Sequence, residues 1–167
     1  TDVLGNDQHS HFWRPAIEEH SQNVSTDDPE DVAVVAFREA LNGFVDRRAA
    51  AASAYLGQLL SQDNHTVARV AIYTMGEFPE LLTSVASGLL KDRFFSPLYR
   101  HEMHLYLERV FPVLSEELKA ALLKQIEDSV HENTNPTDED QLRELEAAST
   151  LLGWLKPISG NGVARVE

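Results

Sequence analysis

Hydrophobic residues recur along this chain at the three- and four-residue spacing of amphipathic helices, and no segment has the strict alternation of a strand. Residues 64–92 give the clearest example, because Val67 and Val70 share one helical stripe while Leu82 and Leu89 share a second. Between the two stripes the letters GEFP supply a stop and a restart, since proline fits the first turn of a helix and disfavours helix in the residue before it. The pattern predicts two helices joined by a tight turn.

Capping residues and prolines mark where the other helices begin and end. Asp28 followed by Pro29 is the strongest helix start, because the carboxylate can accept a backbone N–H and the proline presets the first turn. Further starts are predicted at Pro15, Pro79, Ser96 with Pro97, Ser115 and Thr137, stops at Pro112 and Pro157, and a break within residues 46–48.

These boundaries predict seven substantial helices plus a short one near Pro15, and therefore an all-α fold of about seven to eight helices. Hairpins that begin near residues 29, 65 and 96, with a half-hairpin at 138, have the spacing of stacked antiparallel repeats in an α-solenoid of the HEAT or ARM kind. An irregular helical bundle is the alternative architecture. We expect a disordered terminus at 1–11, a single helical-repeat domain at 12–157, and a flexible tail or linker at 158–167.

The helical stripes also predict which side chains form the core. On the helix after Pro29, Arg38 and Asn42 are expected to face away from it. The positions expected to be nearly buried are Phe37, Leu41, Leu56, Val70, Leu82, Val85, Leu107, Leu122, Ile126 and Leu152.

Composition narrows the possible partners. The net charge of −13 is concentrated in residues 1–46 and 113–167, while residues 47–112 carry six acids and seven bases. Because a nucleic-acid surface needs clustered Lys and Arg, nucleic acid is not an expected partner. No apolar run reaches the length of a membrane span, so no membrane partner is expected either. The chain has no cysteine, which excludes thiol catalysis and favours a reducing, cytoplasmic location.

One group of residues could carry chemistry. His101, His104 and Glu108 fall at helical spacings that place them on one face, and they are the candidate ligands of a metal ion or the centre of a small hydrolytic site. The spacing is not that of the HExxH zinc motif, and a fourth ligand would have to come from another element. The alternative is an exposed polar face in which His104 and Glu108 form a helix pair, and we expect neither a bound metal nor a cofactor.

Three apolar side chains are candidates for an interaction surface instead. Trp13 lies beside the predicted short helix, and Leu151 and Trp154 lie beside the inner stripe of the last helix, which has no hairpin partner in the sequence. A repeat stack leaves an apolar edge at each end unless it is capped. We therefore expect the last helix either to fold back on the helix over 115–131 or to continue into a missing neighbouring element.

Two resemblances add to this interpretation. The run NHTVARVAI, ending in MGE, resembles the second helix of a HEAT-type repeat. The stretches FWRPAIEEHSQN and YRHEMHLYLERVFPVLSEELKAALLKQI resemble helical regions of large bacterial multidomain proteins, namely STAND-type ATPases and similar defence-like proteins. The resemblance implies a non-catalytic sensor or scaffold segment that binds another protein or a neighbouring domain of the same chain, with any ATPase activity outside this segment. A small helical metal-binding or hydrolytic domain centred on His101, His104 and Glu108 is the alternative function.

Overall fold

Helices account for every regular element in the part of the chain that the computed structural model describes, namely residues 16–19, 28–82, 94–133 and 140–159. The all-α prediction is confirmed for these residues, while the predicted number of helices and their solenoid stacking stay predictions. The α-helices are α1 Pro29–Ser61, α2 His65–Glu77, α3 Arg100–Val110, α4 Glu116–Asn133 and α5 Asp140–Ser159, with single 3₁₀ turns at Pro97–Tyr99 and Phe111–Val113.

The predicted helix starts are largely confirmed by their capping contacts. Asp28 accepts the N–H of Glu30 at 3.3 Å, with Pro29 in the first turn of α1. Ser115 accepts the N–H of Leu118 at 3.4 Å ahead of α4. The chain also restarts as a helix at Pro79 after the break at residue 78. Pro97 occupies the first turn predicted for it, although the Ser96 side chain makes no capping bond, and Thr137 lies outside the described residues.

The first long helix bends where the break was predicted. Arg48 has φ −149° and ψ 53°, outside the helical region, so α1 consists of two helical segments on either side of it. The rings of Phe44 and Tyr55 meet edge to face at 6.0 Å between centroids. A straight helix would place these two residues about 16 Å apart along its axis, so the contact depends on the change of direction at Arg48.

Most predicted core positions are confirmed. Leu41, Leu56, Val70, Leu82, Leu107, Leu122 and Ile126 are each at most 3% exposed. Phe37 is only partly buried against the core, and Val85 lies outside the described residues. The prediction for Leu152 is wrong, because its side chain is 67% exposed.

The error at Leu152 arises because α5 turns a different face toward the core from the one predicted. Its inner face is formed by Leu151, Trp154, Leu155 and Ile158, at the spacing i, i+3, i+4 and i+7. The helix also continues past Pro157 to Ser159, so the predicted stop at Pro157 is wrong. A proline in the last turn removes only one helical N–H, and burial of Ile158, which is 5% exposed, favours the extra turn.

The principal contacts among the described helices run in one series. α1 packs on α2, α2 on α3, α3 on α5, and α5 folds back on α4. The last of these contacts is one of the two arrangements expected for the final helix. Gly76 lies at the crossing of α2 and α3, where a β-carbon would be 3.4 Å from Cα of Tyr106, so the two backbones approach closely there.

A buried ion pair joins α2 to α3. Arg69 donates from Nε to Oε2 of Glu102 at 3.1 Å and from Nη2 to Oε1 at 2.8 Å, and each side chain is only 1% exposed. This bidentate geometry is the strongest form of carboxylate recognition by arginine. Because both charges are removed from water, each depends on the other for compensation.

The same network fixes the segment 16–19. The N–H of Ile17 donates to Oε1 of Glu102 at 3.3 Å, and its carbonyl accepts from Nη1 of Arg38 at 2.9 Å, so the backbone of one residue is held between α1 and α3. Residues 16–19 form a bend, so the helix predicted to start at Pro15 is wrong over this stretch. Arg38 is 4% exposed and therefore does not face away as predicted. Asn42 does not either, because it is half-buried and accepts a bond from Oγ1 of Thr74 at 2.8 Å.

Replacing Leu122 with Ala is expected to lower the free energy of unfolding by about 2–5 kcal/mol, because it removes a closely packed side chain from the core. Leu152→Ala is the matched control, since it deletes the same atoms from a side chain that is 67% exposed, and it should change stability by less than about 0.5 kcal/mol. Urea unfolding of both variants measures the difference. Equal losses would contradict the assigned phases of α4 and α5.

Replacing Glu102 with Leu should cost about 3–5 kcal/mol of stability, because it leaves the Arg69 guanidinium buried without its partner. The double variant Arg69→Met, Glu102→Leu should recover most of that loss, since neither charge then remains in the core. Glu116→Gln is the control, because it breaks an exposed pair with Lys119, and such pairs contribute only about 0–1 kcal/mol. This account would be contradicted if the losses in unfolding free energy of the two single core variants, measured with denaturant, simply added in the double variant.

Candidate functional site

Helix α3 has two opposite faces with different roles. The buried face carries Glu102, Met103, Tyr106, Leu107 and Val110. The other face carries Arg100, His104 and Glu108 at intervals of four residues. Since successive residues turn by about 100° around a helix, Arg100 and His104 each lie nearly opposite Glu102. The buried ion pair therefore directs this second face away from α2.

The second face of α3 forms one wall of a groove whose other wall is α5. The groove has a volume of about 740 Å³, within the range of small-molecule sites. We call it the α3–α5 groove. Its lining residues are Pro97, Arg100, His101, His104, Leu105 and Glu108 on one side and Gly153, Lys156 and Pro157 on the other.

A glycine in α5 makes room for a cation in this groove. A β-carbon at Gly153 would lie 2.7 Å from Nη2 of Arg100, closer than such atoms approach. Glycine in a helix costs about 1 kcal/mol relative to alanine, but here it lets the guanidinium lie directly against the helix backbone. Lys156, one turn further along α5, brings a second cation to the same groove.

His104 lies where the two walls of the groove, α3 and α5, pack against each other. Its ring meets Trp154 edge to face at 5.2 Å, and Trp154 meets Phe95 in the same way at 5.4 Å. Its Nε2 is buried without a hydrogen-bond partner among the described residues. Burial lowers the pKa of His104 below its usual value, and the nearby charges of Arg100, His101 and Lys156 lower it further.

His101 connects the groove to the segment 16–19. Its Nε2 is 3.2 Å from Oε1 of Glu18, and both side chains are partly exposed. The neighbouring residue Glu102 bonds the backbone of Ile17, so two consecutive residues of α3 hold two consecutive residues of this segment. One end of the groove is therefore attached to the N-terminal part of the described chain.

The structure brings together the three residues predicted to carry chemistry. His101, His104 and Glu108 all line the α3–α5 groove. Among the described residues, no group of three or more His, Asp or Glu side chains is arranged to hold a metal ion, so sharing a groove does not give these three the geometry of a ligand set. The alternative interpretation expected His104 on an exposed polar face. Its ring instead packs against Trp154.

The residues predicted for an interaction surface have different positions. Trp13 lies outside the described residues. Trp154 is 4% exposed and belongs to the core, and Leu151 is half-buried against that core. Among the described side chains of α5, the large apolar one that is exposed is Leu152.

Sequence reasoning missed the cations of the groove and the buried ion pair. Arg69 is the only Lys, Arg, Asp or Glu between Asn64 and Glu77 in an otherwise apolar helix, and such an isolated charge is a signal of a buried pair. No comparable signal joins Arg100 to Lys156, because 55 residues separate them in the sequence.

Comparisons of the chain with protein-family models, with curated proteins and with solved structures each find no match. Among the helices of the described residues, none has the length and apolar character needed to cross a membrane. The packing order of the helices and the α3–α5 groove are therefore the basis of the proposed function.

Acid is expected to destabilise the protein partly through His104. Because the pKa of His104 is lower in the folded state than its ordinary value of 6.5, the unfolded chain takes up this proton more readily. Stability contributed by neutral His104 is complete above pH 6.5 and is lost as the pH falls from there toward the folded pKa. His104→Phe keeps a ring against Trp154 but cannot titrate, so its unfolding free energy should fall less between about pH 7.5 and 5.5.

Urea unfolding at several pH values measures this difference, with His101→Phe as the control because His101 is exposed in the same groove. Parallel pH profiles for wild type and His104→Phe would contradict the assignment.

Proposed function

We propose that this chain is a non-catalytic segment of stacked helical hairpins, of the HEAT-like kind, that binds another protein or a neighbouring domain of its own chain. The observation that supports the proposal is the order of the main contacts among the described helices, in which α1 contacts α2, α2 contacts α3, α3 contacts α5 and α5 contacts α4. Stacked helical repeats have their main contacts in such a series, and a partner can bind at the end of the stack.

Exposed apolar side chains support binding at the α4 end of the row. Leu123 on α4 is 38% exposed, and Val113 in the turn before it is 40% exposed. Glu116 and Glu127 fall on the same stripe of α4 as Leu123, seven residues before it and four after it, and both are exposed. An apolar side chain between carboxylates fits a partner surface with an apolar centre and a rim of Lys or Arg.

The groove lacks the side chains that most covalent mechanisms need. Among the described residues that line it there is no Ser, Thr or Cys, so none of them offers His101 or His104 a hydroxyl or thiol nucleophile. His101 has a carboxylate neighbour in Glu18, but a general base also needs a reacting group within hydrogen-bond reach. This inventory favours binding over chemistry.

A second candidate function starts from His101, His104 and Glu108 lining one groove. Because their present arrangement is not that of a metal site, it requires these side chains to move together around an ion that also takes a further ligand. Zinc and manganese analysis of the purified protein separates the two functions. A stoichiometric metal that is lost in His104→Ala together with a hydrolytic activity would favour the second function over the first.

Replacing Leu123 with Glu should weaken partner binding about tenfold or more, because it places a charge at the centre of the proposed contact. The wild-type chain serves as bait in an extract of its source organism, and each retained protein is purified and titrated by calorimetry. Gln58→Glu on α1 is the matched control, since it adds the same charge at an exposed position at the other end of the row. Binding that is equal for both variants, or insensitive to salt, would contradict the proposed surface.

A further inference from the structure

The α3–α5 groove collects positive charge on a chain that is otherwise strongly acidic. Among the described lining residues, Arg100 from α3 and Lys156 from α5 are permanent cations and Glu108 is a carboxylate. Glu18 lies at the edge of the groove, where its Oε1 is 3.2 Å from Nε2 of His101. The net charge of the whole chain is −13, so two cations on facing walls of one groove are a local departure from the acidic character of the molecule.

The guanidinium of Arg100 lies against the backbone of α5. Its guanidinium occupies the space that any side chain at position 153 would fill, with Nη2 2.7 Å from the site of the missing β-carbon. The backbone of α5 therefore limits where the planar fork can lie. An arginine held in this way presents its N–H groups in the geometry that matches phosphate and carboxylate oxygens.

We propose that the α3–α5 groove binds a small organic dianion, a phosphomonoester or a dicarboxylate, with Arg100 and Lys156 as the charged ligands from opposite walls. The two permanent cations match the two negative charges of such a ligand. Pro97, Leu105 and Pro157 give an apolar surface for its carbon skeleton. This inference does not rest on the proposed protein contact, because Leu123 does not line the groove.

The volume and the surrounding charge limit the ligand to a small molecule. A groove of about 740 Å³ accommodates a metabolite-sized compound. A polyanion would extend beyond it on a chain whose net charge is −13. Repulsion by that net charge disfavours nucleic acid and favours a compact ligand.

Bound dianion should also change the titration of His104. The groups that face its ring are Arg100, His101 and Glu108 on α3 and Lys156 on α5, while Trp154 supplies the apolar contact. Negative charge in the groove offsets the cations around His104 and favours its protonated form. The pKa of His104 therefore rises when the ligand binds, and binding tightens as the pH falls.

The test titrates the purified full chain with glycerol 3-phosphate, with succinate and with neutral glycerol, at an ionic strength of about 0.05 M where screening is weak. Calorimetry gives the affinity, and NMR of the histidine rings gives the pKa of His104. We expect saturable binding of at least one dianion with Kd at or below about 1 mM, no binding of glycerol, and a raised pKa of His104 in the complex. The two dianion arms distinguish a phosphate ligand from a dicarboxylate.

Variants assign the binding to the groove. Arg100→Gln and Lys156→Gln should each weaken binding about tenfold or more, because each removes a charge-assisted hydrogen bond. Both residues are exposed, so thermal unfolding should stay close to wild type and confirm that the variants fold. Gly153→Ala, which displaces the guanidinium, should weaken binding without removing a charge.

Lys119→Gln is the matched control, since Lys119 is a cation on α4 paired with Glu116 outside the groove. The proposal is overturned if neither dianion binds saturably at about 10 mM, tenfold above the expected Kd. It is also overturned if Lys119→Gln weakens binding as much as Arg100→Gln does.

Discussion

The buried pair of Arg69 and Glu102 is the constraint on which the rest of this structure depends. Removing two charges from water costs several kcal/mol for each ion, and only good geometry with additional hydrogen bonds compensates that cost. Here the carboxylate accepts two bonds from the guanidinium and a third from the N–H of Ile17. A rotation of α3 would leave these charges uncompensated, so the pair fixes α3 relative to α2 more strictly than apolar contacts alone would.

Fixing that rotation also positions the groove. Arg100 and His104 lie two residues on either side of Glu102, and two residues correspond to about 200° around a helix. When Glu102 points into the core, the opposite face of α3 must therefore point toward α5. Gly153 and Lys156 then meet that face, and two cations from distant parts of the sequence become neighbours. The core and the candidate site are thus two consequences of one helix orientation.

Local signals in the sequence predicted the helices well, because caps, prolines and the break near Arg48 act within a few residues. They predicted the inner faces less well. The phase of α5 was wrong at Leu152, since a helix with apolar residues at many positions has more than one plausible inner stripe, and contacts with α3 and α4 select between them. The predicted orientation of two polar residues on α1 was wrong for a similar reason. Arg38 and Asn42 fit a solvent-facing pattern in the sequence, but in the fold Arg38 contacts the backbone of Ile17 and Asn42 contacts the hydroxyl of Thr74.

Of the groove, His101, His104 and Glu108 could be recognised from one helix, but Arg100 and Lys156 meet only in the folded chain.

The contact at Ile17 has a consequence for mutational tolerance. The side chains of Glu102 and Arg38 hold the N–H and the carbonyl of this residue, which are groups that nearly every amino acid provides. The buried side chain of Ile17, fully shielded from solvent, sets only the size and polarity that the position accepts. Substitutions there should therefore rank by how well they fill an apolar site, and proline alone among them would remove the N–H that Glu102 accepts. A complete substitution series at this one position would separate recognition of the main chain from packing of the side chain.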